Sequence, residues 1–99
     1  MIRDASNPFL QASTAREFYS VDCSQWLGAE TRATDLWSAS IGIELSNSGF
    51  GSNIASILVS GGTIGEKYKI RYDIESSTGR KGSVSFFVEI VSDIFGVDG

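Results

Sequence analysis

Three glycines, a serine, a threonine and two lysines crowd the stretch LVSGGTIGEKYKI, residues 58–70. Those residue types could cradle a phosphate, with glycine amides around the anion and a lysine neutralising it. The spacing argues otherwise. The glycines fall at 61, 62 and 65, which fits neither the dinucleotide pattern nor the P-loop, where lysine directly follows the last glycine. A phosphate loop also opens a helix whose first amides hold the anion, whereas the residues after this turn alternate at period two, the mark of a strand. Gly61, Gly62 and Gly65 are therefore expected to supply positive φ in a strand-to-strand connection.

Other chemistry is sparse. The chain has no histidine, which removes histidine-based triads, zinc–histidine sites and imidazole acid–base catalysis. Cys23 is the single cysteine; with no histidine to activate it, and alternating with Tyr19 and Val21, it reads as a buried inert thiol. Asp73 and Glu75 share a strand face with Lys69 and Arg71, which makes a solvated charge ladder rather than an acid/base pair. No stretch has the alternating acidic spacing of a calcium loop. No catalytic residue, cofactor-binding residue or metal ligand is expected, and no cofactor.

The aromatic residues carry two readings. Trp26, Trp37, Tyr19, Tyr68 and Tyr72 could form a sugar-stacking platform, or fill the core and ends of a small sandwich. Phe50, between Gly49 and Gly51 in a polar stretch, either folds back over the sandwich end or meets a partner.

The elements that must hold these side chains follow from the totals and the periodicity. Ninety-nine residues suit one domain, 41% hydrophobic residues suffice for a core, and eleven glycines with one proline favour a turn-rich fold. The net charge is −4 and the eight basic residues form no cluster, so neither nucleic acid nor an anionic membrane is an expected partner. No apolar run approaches a membrane span, and the first residues lack the pattern of a cleaved signal peptide.

Residues 1–15 show no steady period and contain Pro8, which reads as an irregular arm carrying the apolar pair Phe9–Leu10. Removing residues 1–14 is expected to leave the domain folded. REFYSVDC (16–23) alternates as a strand, SQWLGAE (24–30) is a single helical turn, and TRATDLWSAS (31–40) is a strand with a bend or bulge. IGIELS (41–46) sets Ile41, Ile43 and Leu45 on one face, NSGFGSN (47–53) is a loop by composition, and IASILVS (54–60) is a mostly apolar strand. KYKIRYDIES (67–76) and SVSFFVEIV (83–91), joined by STGRKG, form a hairpin with Tyr68, Ile70, Tyr72, Ile74, Val84, Phe86, Val88 and Ile90 on its core face. A tail, residues 92–99, carries Ile94, Phe95 and Val97. The predicted fold is all-β: an antiparallel sandwich of about six to seven strands over residues 16–91, with irregular arms.

Residues 19–91 resemble a small β-sandwich family among the structural modules of tailed bacteriophages. The resemblance rests on Tyr19-Ser20-Val21-Asp22, Trp26-Leu27, Trp37, the glycine-pair turn Ser60-Gly61-Gly62-Thr63 with Gly65 and Tyr68, and Thr78-Gly79-Arg80. Cys23 departs from the pattern, where an aromatic residue is frequent. The resemblance implies an immunoglobulin-like virion protein without enzymatic activity: a capsid decoration or head-fibre protein, or a head–tail or tail component. Its partners would be other virion subunits, major capsid or tail proteins, and further copies of itself. The expected subunit contacts are Phe9, Leu10, Phe50, Ile94, Phe95 and Val97. The rival expectation is a carbohydrate-binding or adhesin module using Trp26, Trp37 or Tyr72.

Overall fold

Alternation at period two sends every second side chain of residues 67–91 to one face, and the fold is built around that face. The computed structural model describes residues 9–92. In chain order these form β1 (Phe9–Ala12), β2 (Arg16–Asp22), α1 (Ser24–Leu27), β3 (Arg32–Ala39), β4 (Ile43–Gly51), β5 (Ile54–Gly61), β6 (Lys67–Ser76) and β7 (Lys81–Val91). One sheet has the order β1-β7-β6-β3 and the other β2-β5-β4. Neighbours run antiparallel except β1, which lies parallel to β7.

The β6–β7 hairpin pairs Tyr68 with Val88, Ile70 with Phe86 and Tyr72 with Val84. These side chains all point between the sheets, because cross-strand partners share a face. All of them are buried except Val84, which is half-buried. One core cluster joins Ile57, Val59, Tyr68, Ile70, Phe86, Val88 and Ile90. A second, nearer α1, joins Val21, Cys23, Leu27, Ala55, Tyr72 and Ile74. The expected antiparallel sandwich is therefore the observed one, with the expected bulge in β3 between Arg32 and Thr34.

Three segments differ from the sequence reading. Residues 9–12 are a strand, not an irregular arm: they pair with Val88–Val91, so the sheet extends to a residue pair far apart in the chain. The stretch 47–53 is mostly strand. β4 continues to Gly51 across a bulge between Ser46 and Gly49, and only Ser52 and Asn53 turn the chain, both at positive φ (51° and 62°). A two-residue turn with both central residues left-handed matches the twist of a hairpin, and asparagine tolerates that conformation better than most residues. Finally, Ile41 does not join Ile43 and Leu45; it sits in the β3–β4 turn, fully exposed.

Candidate functional site

The glycine-rich stretch turns a corner. Gly61, Gly62 and Gly65 have φ of 80°, 93° and 91°, and the chain then enters β6 rather than a helix. The Thr63 N–H donates to the Tyr68 hydroxyl at 2.8 Å, so one donor a phosphate would need is already engaged. At Gly62 a Cβ would stand 2.6 Å from Ile90 Cγ1; glycine is required there by packing.

Of the aromatic set, Tyr68 and Tyr72 are buried, while Tyr19, Trp26 and Trp37 are half-buried. Tyr72 is 1% exposed, and Trp37 stacks on it with centroids 4.6 Å apart. Trp26 lies against Gly82 on one side and under the Arg80 guanidinium, 4.5 Å from its ring, on another. The indole N–H of Trp37 is buried without a hydrogen-bond partner among the described residues. Stacking a sugar needs an accessible ring face; Tyr72 has almost none, while Trp26 and Trp37 are half-buried and Trp26 lines a cleft of ≈ 310 Å³.

The motif Thr78-Gly79-Arg80 also acts inside the chain. Arg80 donates to the Trp26 carbonyl at 2.8 Å and pairs with Glu30 at 3.1 Å, while the Thr78 hydroxyl donates to Glu30 at 2.6 Å. Hydrogen bonds from Ser76 and Thr78, then the Arg80 charge, hold the Glu30 carboxyl below its ordinary range. This cluster fastens α1 and its following turn to the tip of the β6–β7 hairpin.

Titratable groups offer little reactivity. Burial pushes the Cys23 thiol up, which keeps it protonated and unreactive near neutrality. Arg71 Nε donates to both Asp73 oxygens, at 3.0 and 3.1 Å, on the exposed face of β6. Asp35 accepts from Tyr72 Oη at 2.8 Å and from Arg32 at 2.9 Å, which neutralises a carboxylate at the sandwich wall. Among the described residues no group of three or more histidine, cysteine, aspartate or glutamate side chains could hold a metal ion.

The expected contact residues divide. Phe9 packs edge-on against Tyr19 and Phe86, at 5.1 and 5.6 Å between centroids, and so joins the chain's own core. Leu10, next to it, is 55% exposed. Phe50 folds back over the sandwich end onto the second core cluster, with Arg32 4.7 Å above its ring. Ile94, Phe95 and Val97 lie outside the described residues.

The structure exposes apolar side chains that sequence reading passed over. Phe18, 61% exposed, stands on the outer face of the three-stranded sheet opposite Leu58, which is itself buried, at 6% exposure. Around them the register places Ser20, Ser46, Ser56 and Ser60, with Ile54 (42% exposed) near the sheet's end. Phe18 lies on the face of β2 opposite Tyr19 and Val21, and β5 sets Leu58 beside it. The opposite sheet shows Lys67, Lys69, Arg71, Asp73 and Glu75 outward on β6. Arg16, Asp22 and Glu44 share the first face by register, and Leu36, 64% exposed and opposite Asp73, shares the second, so both faces mix apolar and charged side chains.

Residues 11–89 match the family model described as Podophage GP4 fiber-tail adaptor protein gp77. Among solved structures, the PKD domain from KIAA 1837 protein, determined in solution, superposes with a TM-score of 0.61 at 16% identity, covering 97% of this chain and 91% of that one. At that identity the likeness shows a shared immunoglobulin-like sandwich and nothing of function. Comparison with curated proteins returns no match.

Proposed function

The chain belongs to the podophage GP4 fiber-tail adaptor protein gp77 family, and from that premise we propose that it works as a non-enzymatic adaptor at the junction of tail and tail fibre. It is a virion component. The match spans residues 11–89, which takes in nearly the whole sandwich, so the adaptor role belongs to the sandwich and its surfaces rather than to an appended motif. That extent is the observation that carries the reading.

The geometry supports it. The clusters that a sequence search would single out, around Gly62, Trp26 and Arg80, all serve the fold. Among the described residues the large apolar side chains left exposed to a partner are Phe18, beside the serines of the three-stranded sheet, with Leu10, Leu36, Ile41, Ile54 and Ile64. Short side chains lose little rotamer freedom when covered, which favours a flat protein–protein contact. Of the virion sites considered above, the tail fits the family description and capsid decoration does not draw on it.

The test is a phage from which this chain has been deleted. Heads and tails should assemble while fibres fail to attach, and the chain supplied in trans should restore attachment. Labelled chain should localise at the tail by electron microscopy. Label on the capsid, or normal fibre attachment without the chain, would overturn the reading.

A further inference from the structure

β3 stands last in the order of one sheet and β4 last in the other, and the two strands meet on one side of the sandwich. A cleft of ≈ 260 Å³ lies between them, lined chiefly by Asp35, Trp37, Leu45, Ser46, Asn47 and Ser48, with Ile57 of β5. The β4 bulge builds its polar wall. The register shift between Ser46 and Gly49 takes Asn47 and Ser48 out of the ladder with β5, and Asn47 adopts a φ of 50°. Among the described residues no hydrogen bond engages the Asn47 side-chain amide or the Ser46 and Ser48 hydroxyls.

Asp35 adds a carboxylate from β3. One of its oxygens accepts from Tyr72 Oη at 2.8 Å and the other from Arg32 at 2.9 Å. A carboxylate has about four acceptor positions, so roughly half of them are left for a ligand. The remaining lining is hydrocarbon: Leu45, Ile57 and the Trp37 ring. The Trp37 N–H is buried, so what its ring offers the cleft is carbon.

These walls select a ligand by its chemistry. An anion would meet the Asp35 carboxylate, and a cation would meet an acid already paired with Arg32 at 2.9 Å. A wholly apolar molecule would cover the Asn47 and serine groups without giving them partners, which costs free energy. A neutral ring with C–H groups on one face and hydroxyls along its edge satisfies both walls. The volume, ≈ 260 Å³, lies below the roughly 300–1,000 Å³ of sites for drug-sized ligands, which suits a single ring.

We propose that the β3–β4 cleft is a binding site for a neutral sugar, its C–H face on Trp37 and Leu45 and adjacent hydroxyls on Asp35 and Asn47. The site goes beyond the adaptor reading and does not depend on it. It is tested on the purified full chain without particles, so its failure leaves the tail–fibre role standing, and the reverse holds.

The experiment is a nitrogen–proton NMR titration with glucose, galactose, mannose, rhamnose and N-acetylglucosamine. A ring of about a dozen non-hydrogen atoms binds in roughly the millimolar range, so each sugar is carried to about 100 mM. At least one should give saturable shifts at the backbone amides of Asp35, Trp37, Asn47 and Ser48 and at the Asn47 side chain. Asn47→Gly removes the amide and keeps a residue at ease with a φ of 50°; it should weaken that sugar about tenfold with little change in melting temperature. Ser48→Ala, which leaves the backbone alone, should weaken it as well. The proposal is overturned by the absence of saturable shifts with all five sugars, by shifts centred on Trp26 and Cys23 instead, or by both variants binding like the unaltered chain. A neutral peptide, acetyl-Gly-Ser-Gly-amide, that saturates the same signals where no sugar does would overturn it too and give the cleft to a protein segment.

Discussion

Gln11 is fully buried in an interior otherwise filled mainly by hydrocarbon, and both ends of its amide are engaged. Its Nε2 donates to the Val59 carbonyl at 2.9 Å and its Oε1 accepts from the Tyr19 hydroxyl at 2.8 Å, which ties β1 to β2 and β5. Burial, with the charge of Glu17, pushes the Tyr19 phenol up to about 12. An unfolded tyrosine ionises near pH 10, so the folded state holds its proton longer. The stabilisation is complete below pH 10 and is lost as pH rises toward 12. Urea unfolding across pH 8–12 should show this alkaline loss, and Tyr19→Phe should reduce it while costing about 1–3 kcal/mol at pH 7, because Gln11 then keeps an unpaired buried oxygen. Gly62 is the second sensitive position. With φ at +93° and Ile90 Cγ1 2.6 Å from a hypothetical Cβ, Gly62→Ala should cost about 2–3 kcal/mol by denaturant unfolding. Gly65→Ala, with nothing within 4 Å, should cost less, since only backbone conformation opposes it. The sequence shows that these glycines turn the chain; it does not show which of them is pressed against the core, because Ile90 arrives from a strand far along the chain.

The strands differ in how far their own residues dictate them. β6 and β7 alternate strictly, and both were legible: Ile70→Asp should abolish cooperative melting, since an unpaired charge in that position costs several kcal/mol. β1 was not legible. Four residues, FLQA, carry no period long enough to detect, and their partner is β7, nearly eighty residues away in register. β4 was half legible, because Asn47, Ser48, Gly49 and Gly51 read as loop while β5 alongside supplies the ladder that makes them strand. The same holds for the candidate site. The aromatic residues were visible as a set, but whether their faces met solvent or arginine depended on Glu30, Thr78 and Arg80 converging from two distant segments. Since β1 brings Phe9 and Gln11 into the core, deletion of residues 1–14 should destabilise the sandwich markedly, lowering its melting temperature by well over the roughly 4–8 °C that accompanies 1 kcal/mol in a domain of this size. That reverses the expectation drawn for a free arm, and a truncated chain melting like the full one would restore it.

At the scale of the molecule the two outer faces set how it can be held. The β6 side of the four-stranded sheet carries alternating lysine, arginine and carboxylates, with Arg71 and Asp73 paired at 3.0 Å; such a face is well solvated and costly to strip of water. The three-stranded sheet presents the exposed Phe18 beside serines, with Arg16, Asp22 and Glu44 toward its ends on the same face. Covering a phenylalanine contributes roughly 1.5–3 kcal/mol before ordering costs, too little for a lone contact to hold. In an assembly of many symmetric copies the same increment would act at every copy, and total occupancy would respond steeply to it. Two exposed substitutions separate the faces. Phe18→Glu and Lys69→Glu should each leave the isolated chain's stability within about 0.5 kcal/mol, because neither side chain is packed. In phage assembled with each variant, Phe18→Glu should sharply lower the amount of the chain retained on purified particles and the number of fibres per tail, while Lys69→Glu should leave both near the unaltered level. Were the two variants to incorporate equally, the flat serine-lined face would not be the one that meets the tail or fibre. The contact would then fall elsewhere, with Leu10, Leu36, Ile41 and Ile64 as exposed apolar side chains left to make it.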